Sequence, residues 1–242
     1  MKLSFTKYSD VGLVRSNNED FCGVKFSNNG VLAVVCDGVG GNNGGEVASR
    51  LACEVLFNSF STIYGNNYSA QLEEAILLAN SAIQKKAKEN YTLMGMASTI
   101  VAAYIKNSSV FWGHVGDSRI YSLINNNLTQ ITTDHSLVQE MVDKGYLTSE
   151  EAENHPKKNI ITRALGTHDT VKVDKGEFKI NEEDKVLIFL CSDGVTNVVD
   201  NEQLSKILST YNSNTIVKEL YHTIRQNGAP DNFTFALITN LQ

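Results

Sequence analysis

The sequence predicts an α+β fold, an α-β-β-α sandwich in which two stacked antiparallel sheets each carry a pair of helices on the outer face. Three observations predict it. Short β-branched or alternating apolar segments recur through the chain; helical spacing of apolar residues takes over in two places, each time for two successive helices; and every such helix has one apolar face that must cover a sheet. A chain of 242 residues buries one substantial core more readily than two small ones, so a single domain spanning residues 1–242 is expected.

Leu3-Ser4-Phe5-Thr6-Lys7-Tyr8 alternates with period two, and Asp20 to Phe26 does so more loosely, so both read as strands. Val31 to Cys36 is a continuous apolar run, the pattern of a strand buried on both faces, and Asp37-Gly38 ends it. From Gly45 to about Phe60, Val47, Ala48, Leu51, Val55 and Leu56 recur at helical spacing, and Leu72, Ala75, Ile76, Ala79 and Ile83 repeat the pattern. Ser98 to Lys106, Ser109 to Val115 and Arg119 to Ile124, parted by Lys106-Asn107-Ser108 and Gly116-Asp117, read as an antiparallel meander. Residues 134–168 are more polar. They hold a short helical pattern at Leu137, Met141 and Val142 and a capping box from Thr148 to Glu151, and read as an inserted flap. Strands at Val171 to Phe178 and Val186 to Cys191, helices near Glu202 to Leu208 and Thr215 to Gln226, and a last strand at Phe233 to Thr239 complete the order.

Composition narrows the function. A formal charge of -6 without a basic run disfavours nucleic acid, whose binders cluster Lys and Arg against phosphates. The longest apolar runs are too short to cross a bilayer, and residues 1–20 lack the apolar centre of a secretory signal. A cytoplasmic protein without a membrane partner is expected. Cys22, Cys36, Cys53 and Cys191 lie far apart with no C-x-x-C pair, so they read as buried hydrophobes. The five histidines form no spaced ligand cluster; His135 and His155, in or beside the flap, are the two that invite testing.

The chemistry lies in the acids. Two apolar strands end alike, in Cys36-Asp37-Gly38-Val39 and Cys191-Ser192-Asp193-Gly194-Val195, each delivering a carboxylate at its tip. The adjoining glycine lacks a Cβ that would keep a cation or ligand from the backbone. Asp117, in the turn Gly116-Asp117-Ser118-Arg119, and Asp231, just before the last strand, occupy similar places. If the four turns meet at one end of the sandwich, only protonation or cations relieve the repulsion, and hard oxygen donors favour Mg²⁺ or Mn²⁺. Arg15 precedes Glu19-Asp20, and its planar donor fork suits phosphate oxygens.

In chain order, Ser9-Asp10-Val11-Gly12 through Arg15 to Asn18-Glu19-Asp20, Asp37-Gly38-Val39-Gly40-Gly41, Gly116-Asp117-Ser118-Arg119, Asp134-His135-Ser136-Leu137, Ile161-Thr162-Arg163-Ala164-Leu165-Gly166, Ser192-Asp193-Gly194 and Asp231-Asn232-Phe233-Thr234 resemble the metal-dependent (type 2C) protein phosphatase family, and particularly its compact bacterial single-domain members. The resemblance implies a phosphatase acting on phosphoserine and phosphothreonine in proteins. It implies that Asp37 bridges two Mn²⁺ or Mg²⁺ ions, with Asp193 and Asp231 on one and the Gly38 carbonyl on the other, and that Asp117 with Asp193 holds a third. By the same resemblance Glu19 and Asp20 orient metal-bound waters, Arg15 holds the substrate phosphate, and a hydroxide shared by the metals attacks phosphorus directly. A serine/threonine kinase is the implied opposing partner, and a monomer is expected. The chain departs from the family's pattern at Val39 and Asn42, where many members carry a histidine as general acid, at Met96-Ala97-Ser98-Thr99, and at Asn197, where an acid is common. Two rival readings stay open at this level: a phosphatase of small phosphate esters or phosphotyrosine, and a catalytically silent module that binds phosphoproteins.

Overall fold

In a computed structural model of the chain, the structure describes residues 2–27, 30–40, 44–60 and 67–241. Strands β1 (Ser4–Asp10), β2 (Phe21–Ser27), β3 (Gly30–Cys36) and the two-residue β4 (Gly38–Val39) precede helices α1 (Gly44–Phe60) and α2 (Tyr68–Glu89). Then follow β5 (Ala97–Ser98), β6 (Ile100–Lys106), β7 (Ser109–Val115), β8 (Arg119–Ile124) and β9 (Asn127–Gln130). Short helices α3 (Leu137–Asp143) and α4 (Ser149–Glu153) lead to β10 (Asp174–Lys179), β11 (Val186–Cys191), the one-turn α5 (Asp193–Thr196), α6 (Asn201–Leu208), α7 (Ser213–Gln226) and β12 (Phe233–Thr239).

One antiparallel sheet runs β1-β12-β11-β8-β9 and the other β10-β7-β6-β3-β2, with β4-β5 as a small third pair. Period-two alternation divides the core into three layers. From β3, Val31, Ala33 and Val35 face the opposite sheet and meet Ile188, Leu190, Ala236 and Ile238. Leu32, Val34 and Cys36 of the same strand face α1 and α2, against Leu56, Leu72 and Ile76. On the far outer face Leu187, Phe189, Phe235 and Leu237 pack under Leu204, Leu208, Leu220 and Ile224 of α6 and α7. Each fully buried side chain of this size contributes roughly 1.5–3 kcal/mol. Exposed pairs such as Lys85–Glu89 contribute roughly 0–1 kcal/mol. The three apolar layers therefore hold the fold.

The structure corrects the expected meander. β6 and β7 form a hairpin, but β8 pairs with β11 and β9 in the other sheet. Gly116 makes the crossing possible, at φ +116 with the Thr99 side chain 2.6 Å from where a Cβ would lie. The first strand of that group also breaks at Thr99, leaving β5 to pair with β4. β10 starts three residues later than the apolar pattern suggests, because Val171 and Val173 pack into the helix-side core instead. The edge strand β9 was not predicted, although Asn125-Asn126 before it, at φ 50 and 69, is the left-handed pair that a two-residue hairpin needs.

Many of the asparagines have structural roles. Asn67, Asn90 and Asn212 are N-caps whose side chains accept backbone N–H groups, and Asn107 sits at φ 54 between β6 and β7. In the 134–168 segment the expected capping box is present at Thr148 and Glu151. The two legs of that segment are tied by the bridge Ser136↔Ile161, and the returning leg is tied to β5 by Ser98↔Leu165.

His114 on β7 is fully buried, and neither ring nitrogen has a hydrogen-bond partner. Burial, aided by the neighbouring His135, pushes its pKa from 6.5 down to about 3. The unfolded chain binds a proton below about pH 6.5, whereas the folded chain resists until about pH 3. The stability tied to the neutral ring is therefore fully present above the unfolded value and is lost as pH falls toward 3. His114→Leu is expected to gain about 1–3 kcal/mol at neutral pH by removing two unpaired polar atoms. It should also flatten the acid limb; urea titrations at pH 7 and pH 5 check both.

Candidate active site

Four chain turns bring the acids to one end of the sandwich. β3 delivers Asp37, whose N–H donates to the Thr99 hydroxyl at 2.9 Å, while the Thr99 N–H donates to the Asp37 carbonyl at 2.8 Å. The same hydroxyl lies 2.7 Å from that of Ser118, so Thr99 joins the Asp37 and Asp117 turns. β11 delivers Asp193 as the first residue of α5, where Asn197 Nδ2 donates to its carboxylate at 2.9 Å. Asp231 stands before β12 and accepts from the exposed Arg15 guanidinium at 2.9 Å. Asn232 sews the N-terminal loop to this corner: its Oδ1 accepts from the Glu19 N–H, and its Nδ2 donates to the Val11 and Asn17 carbonyls.

Arg15, Glu19, Asp37, Gly38, Asp117, Asp193 and Asp231 line one cleft of about 640 Å³. Of the residues expected to hold cations, water or phosphate, Asp20 is the one that lies off its wall. It is buried, accepts from Ser192 Oγ at 2.6 Å, and has its pKa pushed up to about 7, chiefly by burial. Val39 lines the cleft, Asn42 lies outside the described residues, and His155 is not among the lining residues. A second groove of about 600 Å³ between the 134–168 segment and α6 shares Asp117, Asn159 and Asp193 with the first.

Crowded carboxylates dominate the electrostatics. Burial, then Asp20, Asp193 and Asp117, push the Asp37 pKa well above the carboxylate range; burial and Asp193 push Asp117 to about 8. Burial and Asp231 raise Asp193, and burial raises Glu19. Asp37 and Asp193 thus stand in one crowded carboxylate group in which each raises the cost of ionising its neighbours. As the side chains stand, no three His, Cys, Asp or Glu among the described residues converge closely enough to hold an ion. Asp231 accepts from Arg15 and Asp193 from Asn197, each already partnered by the protein.

The donor set nonetheless fits hard divalent cations. Every donor is a carboxylate or carbonyl oxygen, and the raised pKa values record a charge surplus that a cation offsets. The Glu19 carboxylate and Gly38 carbonyl lie 2.7 and 2.8 Å from the point a Cβ on Gly45 would occupy, a cradle open only because residue 45 is glycine. The role given to the glycines beside the acids is corrected. A Cβ on Gly38 would meet the Gly45 carbonyl oxygen at 2.2 Å, and one on Gly194 the Asn232 carbonyl oxygen at 1.9 Å. These glycines admit neighbouring backbone, which closes the corner on which the acids stand. The sequence reading missed Thr99, Ser192, Asn197 and Asn232 as supports; only the Ser192-Asp193 and Asp231-Asn232 pairings hinted at two of them.

Such a donor set suits hydrolases that act on phosphate esters with hard divalent cations. A family model described as Protein phosphatase 2C matches residues 14–235. The serine/threonine phosphatase stp of Listeria welshimeri is 38% identical over 95% of this chain and 93% of that protein. The crystal structure of Stp1 from Staphylococcus aureus has a TM-score of 0.91 at 33% identity, covering 100% of this chain and 96% of that one. The catalytic domain of the phosphatase PstP, solved in complex with 2 manganese ions, has a TM-score of 0.86 at 33% identity, covering 98% of this chain and 97% of that one. The chain belongs to the protein phosphatase 2C family.

Proposed function

We propose that the cleft hydrolyses phosphoserine and phosphothreonine in proteins, with Asp37, the Gly38 carbonyl, Asp193 and Asp231 holding two Mn²⁺ or Mg²⁺ ions and Asp117 with Asp193 a third. The chain is a protein serine/threonine phosphatase by family. One observation carries the finer reading: Asp37, Asp117, Asp193 and Asp231, from four separate turns, line the same cleft as Arg15. The adjoining groove supports a polypeptide substrate, because it leaves room for chain flanking the phosphorylated residue.

Bound divalent cations supply Lewis acidity, lowering the pKa of the attacking water and offsetting charge on the phosphoryl oxygens. The protein's own groups do the rest. Arg15, braced by Asp231, presents its remaining donors to two phosphoryl oxygens. Glu19, on the cleft wall, accepts a hydrogen bond from water and orients it for direct attack on phosphorus, without a phosphoenzyme, while Asp20, expected to share that role, acts from behind the wall through Ser192, the neighbour of Asp193. The Val39 side chain offers no proton, so the leaving alkoxide takes its proton from water. The proposal extends to a single domain with residues 134–168 as its flap, and to a cytoplasmic monomer opposed by a serine/threonine kinase, the class of reaction that forms the ester cleaved here.

Protein stripped with a chelator is expected to turn over neither 4-nitrophenyl phosphate nor a phosphothreonine peptide, and added Mn²⁺ is expected to restore both. Undiminished turnover in excess chelator, or none at any manganese concentration, would sink the proposal.

A further inference from the structure

Outside the cleft, the most connected group of titratable side chains lies where the flap meets β7 and β10. His135, at the start of the flap, holds both peptide groups of Gly116. The Gly116 N–H donates to His135 Nδ1 at 2.9 Å, and the Gly116 carbonyl accepts from the His135 N–H at 2.8 Å. An amide N–H only donates, so Nδ1 accepts through its lone pair. Nε2 lies 3.2 Å from Asp174 Oδ2 at the start of β10 and 2.8 Å from Arg163 Nη1, and that guanidinium nitrogen, from the flap's returning leg, also donates to Oδ1 of the same carboxylate at 2.9 Å. The returning leg also donates Thr162 N–H to the His135 carbonyl at 2.8 Å. Against the ring's face stacks His114, 4.4 Å between centroids. The imidazole is thus fixed on one edge to Gly116, on the other between Asp174 and Arg163, and on a face by packing.

Gly116 immediately precedes Asp117. It is the left-handed residue at which the chain crosses between sheets, so the direction of its peptide sets where Asp117 points. Beyond Asp117, Ser118 meets the Thr99 hydroxyl that also receives the Asp37 N–H. Hydrogen bonds on either side of the 116–118 backbone therefore connect the flap to both acid turns.

We infer that His135 is a positioning residue that clamps the Gly116 peptide and so aims Asp117, which makes docking of the flap and cation binding at Asp117 one coupled event. The inference rests on the proposed role of Asp117 as a cation ligand, and it assigns His135 a function separate from contact with substrate. Groups that orient a ligand in this way typically alter metal affinity by about 10–100-fold when removed.

The test uses the full chain with Mn²⁺ alone as probe, measured by titration calorimetry on variants whose thermal melts show them folded. His135→Asn retains an acceptor near the Nδ1 position and is expected to bind Mn²⁺ much like the parent. His135→Gln removes that acceptor and is expected to weaken the lower-affinity Mn²⁺ by about tenfold or more. In an Asp117→Ala background the same His135→Gln change is expected to cost nothing further. Parent-like Mn²⁺ binding in folded His135→Gln, or a penalty that adds in full to that of Asp117→Ala, overturns the clamp while the role of Asp117 stands. An Asp117→Ala variant that binds Mn²⁺ like the parent overturns both. The parent chain gives a check that needs no substitution: Mn²⁺ is expected to raise amide exchange protection at Gly116 and Thr162 together, and separate responses overturn the coupling.

Discussion

Asp193→Ala is expected to lose at least about a thousandfold in kcat/KM toward a phosphorylated substrate, equivalent to about 4 kcal/mol of transition-state stabilisation, while the chain stays folded. The loss is large because Asp193 is proposed to serve two cation positions and stands between Asp37, Asp117 and Asp231, so no neighbouring carboxylate can take its place without abandoning its own. Folding survives because the carboxylate is a burden on the metal-free protein. Burial and the charge of Asp231 already raise its pKa, and truncation relieves both. What is forfeited is the hydrogen bond from Asn197, worth about 0.5–1.5 kcal/mol net. In chelator the melting temperature should therefore equal or exceed the parent's, and the stabilisation that Mn²⁺ gives the parent should shrink. Initial rates across a manganese titration, paired with thermal melts, check the two halves separately. Turnover close to the parent's would remove Asp193 from the site.

Gly194→Ala is expected to destabilise the fold by at least about 3 kcal/mol, which for a domain of this size lowers the melting temperature by roughly 6–12 °C. The methyl group would stand 1.9 Å from the Asn232 carbonyl oxygen, a backbone atom at the head of β12 with no rotamer to escape into. Either α5 or the 231–232 segment must move. Asn232 fastens the loop that carries Arg15 and Glu19, so the displacement would also part Asp193 from Asp231 and from the guanidinium. Activity should fall with stability, and Mn²⁺ should recover neither. A melting temperature within about 2 °C of the parent's would show that the corner is less tightly closed than the contact implies.

Most elements are readable from the chain because their signals are local. The runs Val31 to Cys36 and Val186 to Cys191 became the strands β3 and β11, buried throughout, and the stripes on α2 and α7 met the sheets they were expected to cover. The meander failed where a local signal is least informative. A Gly-Asp turn between two strands looks the same whether the next strand pairs back or crosses to a facing sheet; Gly116, pressed against Thr99, took the second course. β9 escaped notice because an exposed four-residue edge strand has little hydrophobic pattern of its own.

The candidate site divides in the same way. Which acids to propose was legible, since Asp37, Asp117, Asp193 and Asp231 each stand within two residues of a strand end, and a strand tip is a fixed place in a sheet. Their supports were not: Thr99 is 62 residues from the Asp37 it braces, and Asn232 is 213 from Glu19. Such pairs carry no periodicity or spacing that relates one to the other.

By itself, then, the sequence determined the alternation of strands and helices, the layer each apolar face belongs to, and the chemical type of the site, because side-chain period and donor chemistry are properties of short segments. Only the tertiary structure decided which strands share a sheet, why no side chain is tolerated beside two of the acids, and which hydroxyls, amides and imidazole aim them, because those follow from contacts between segments that meet only once the two sheets have packed.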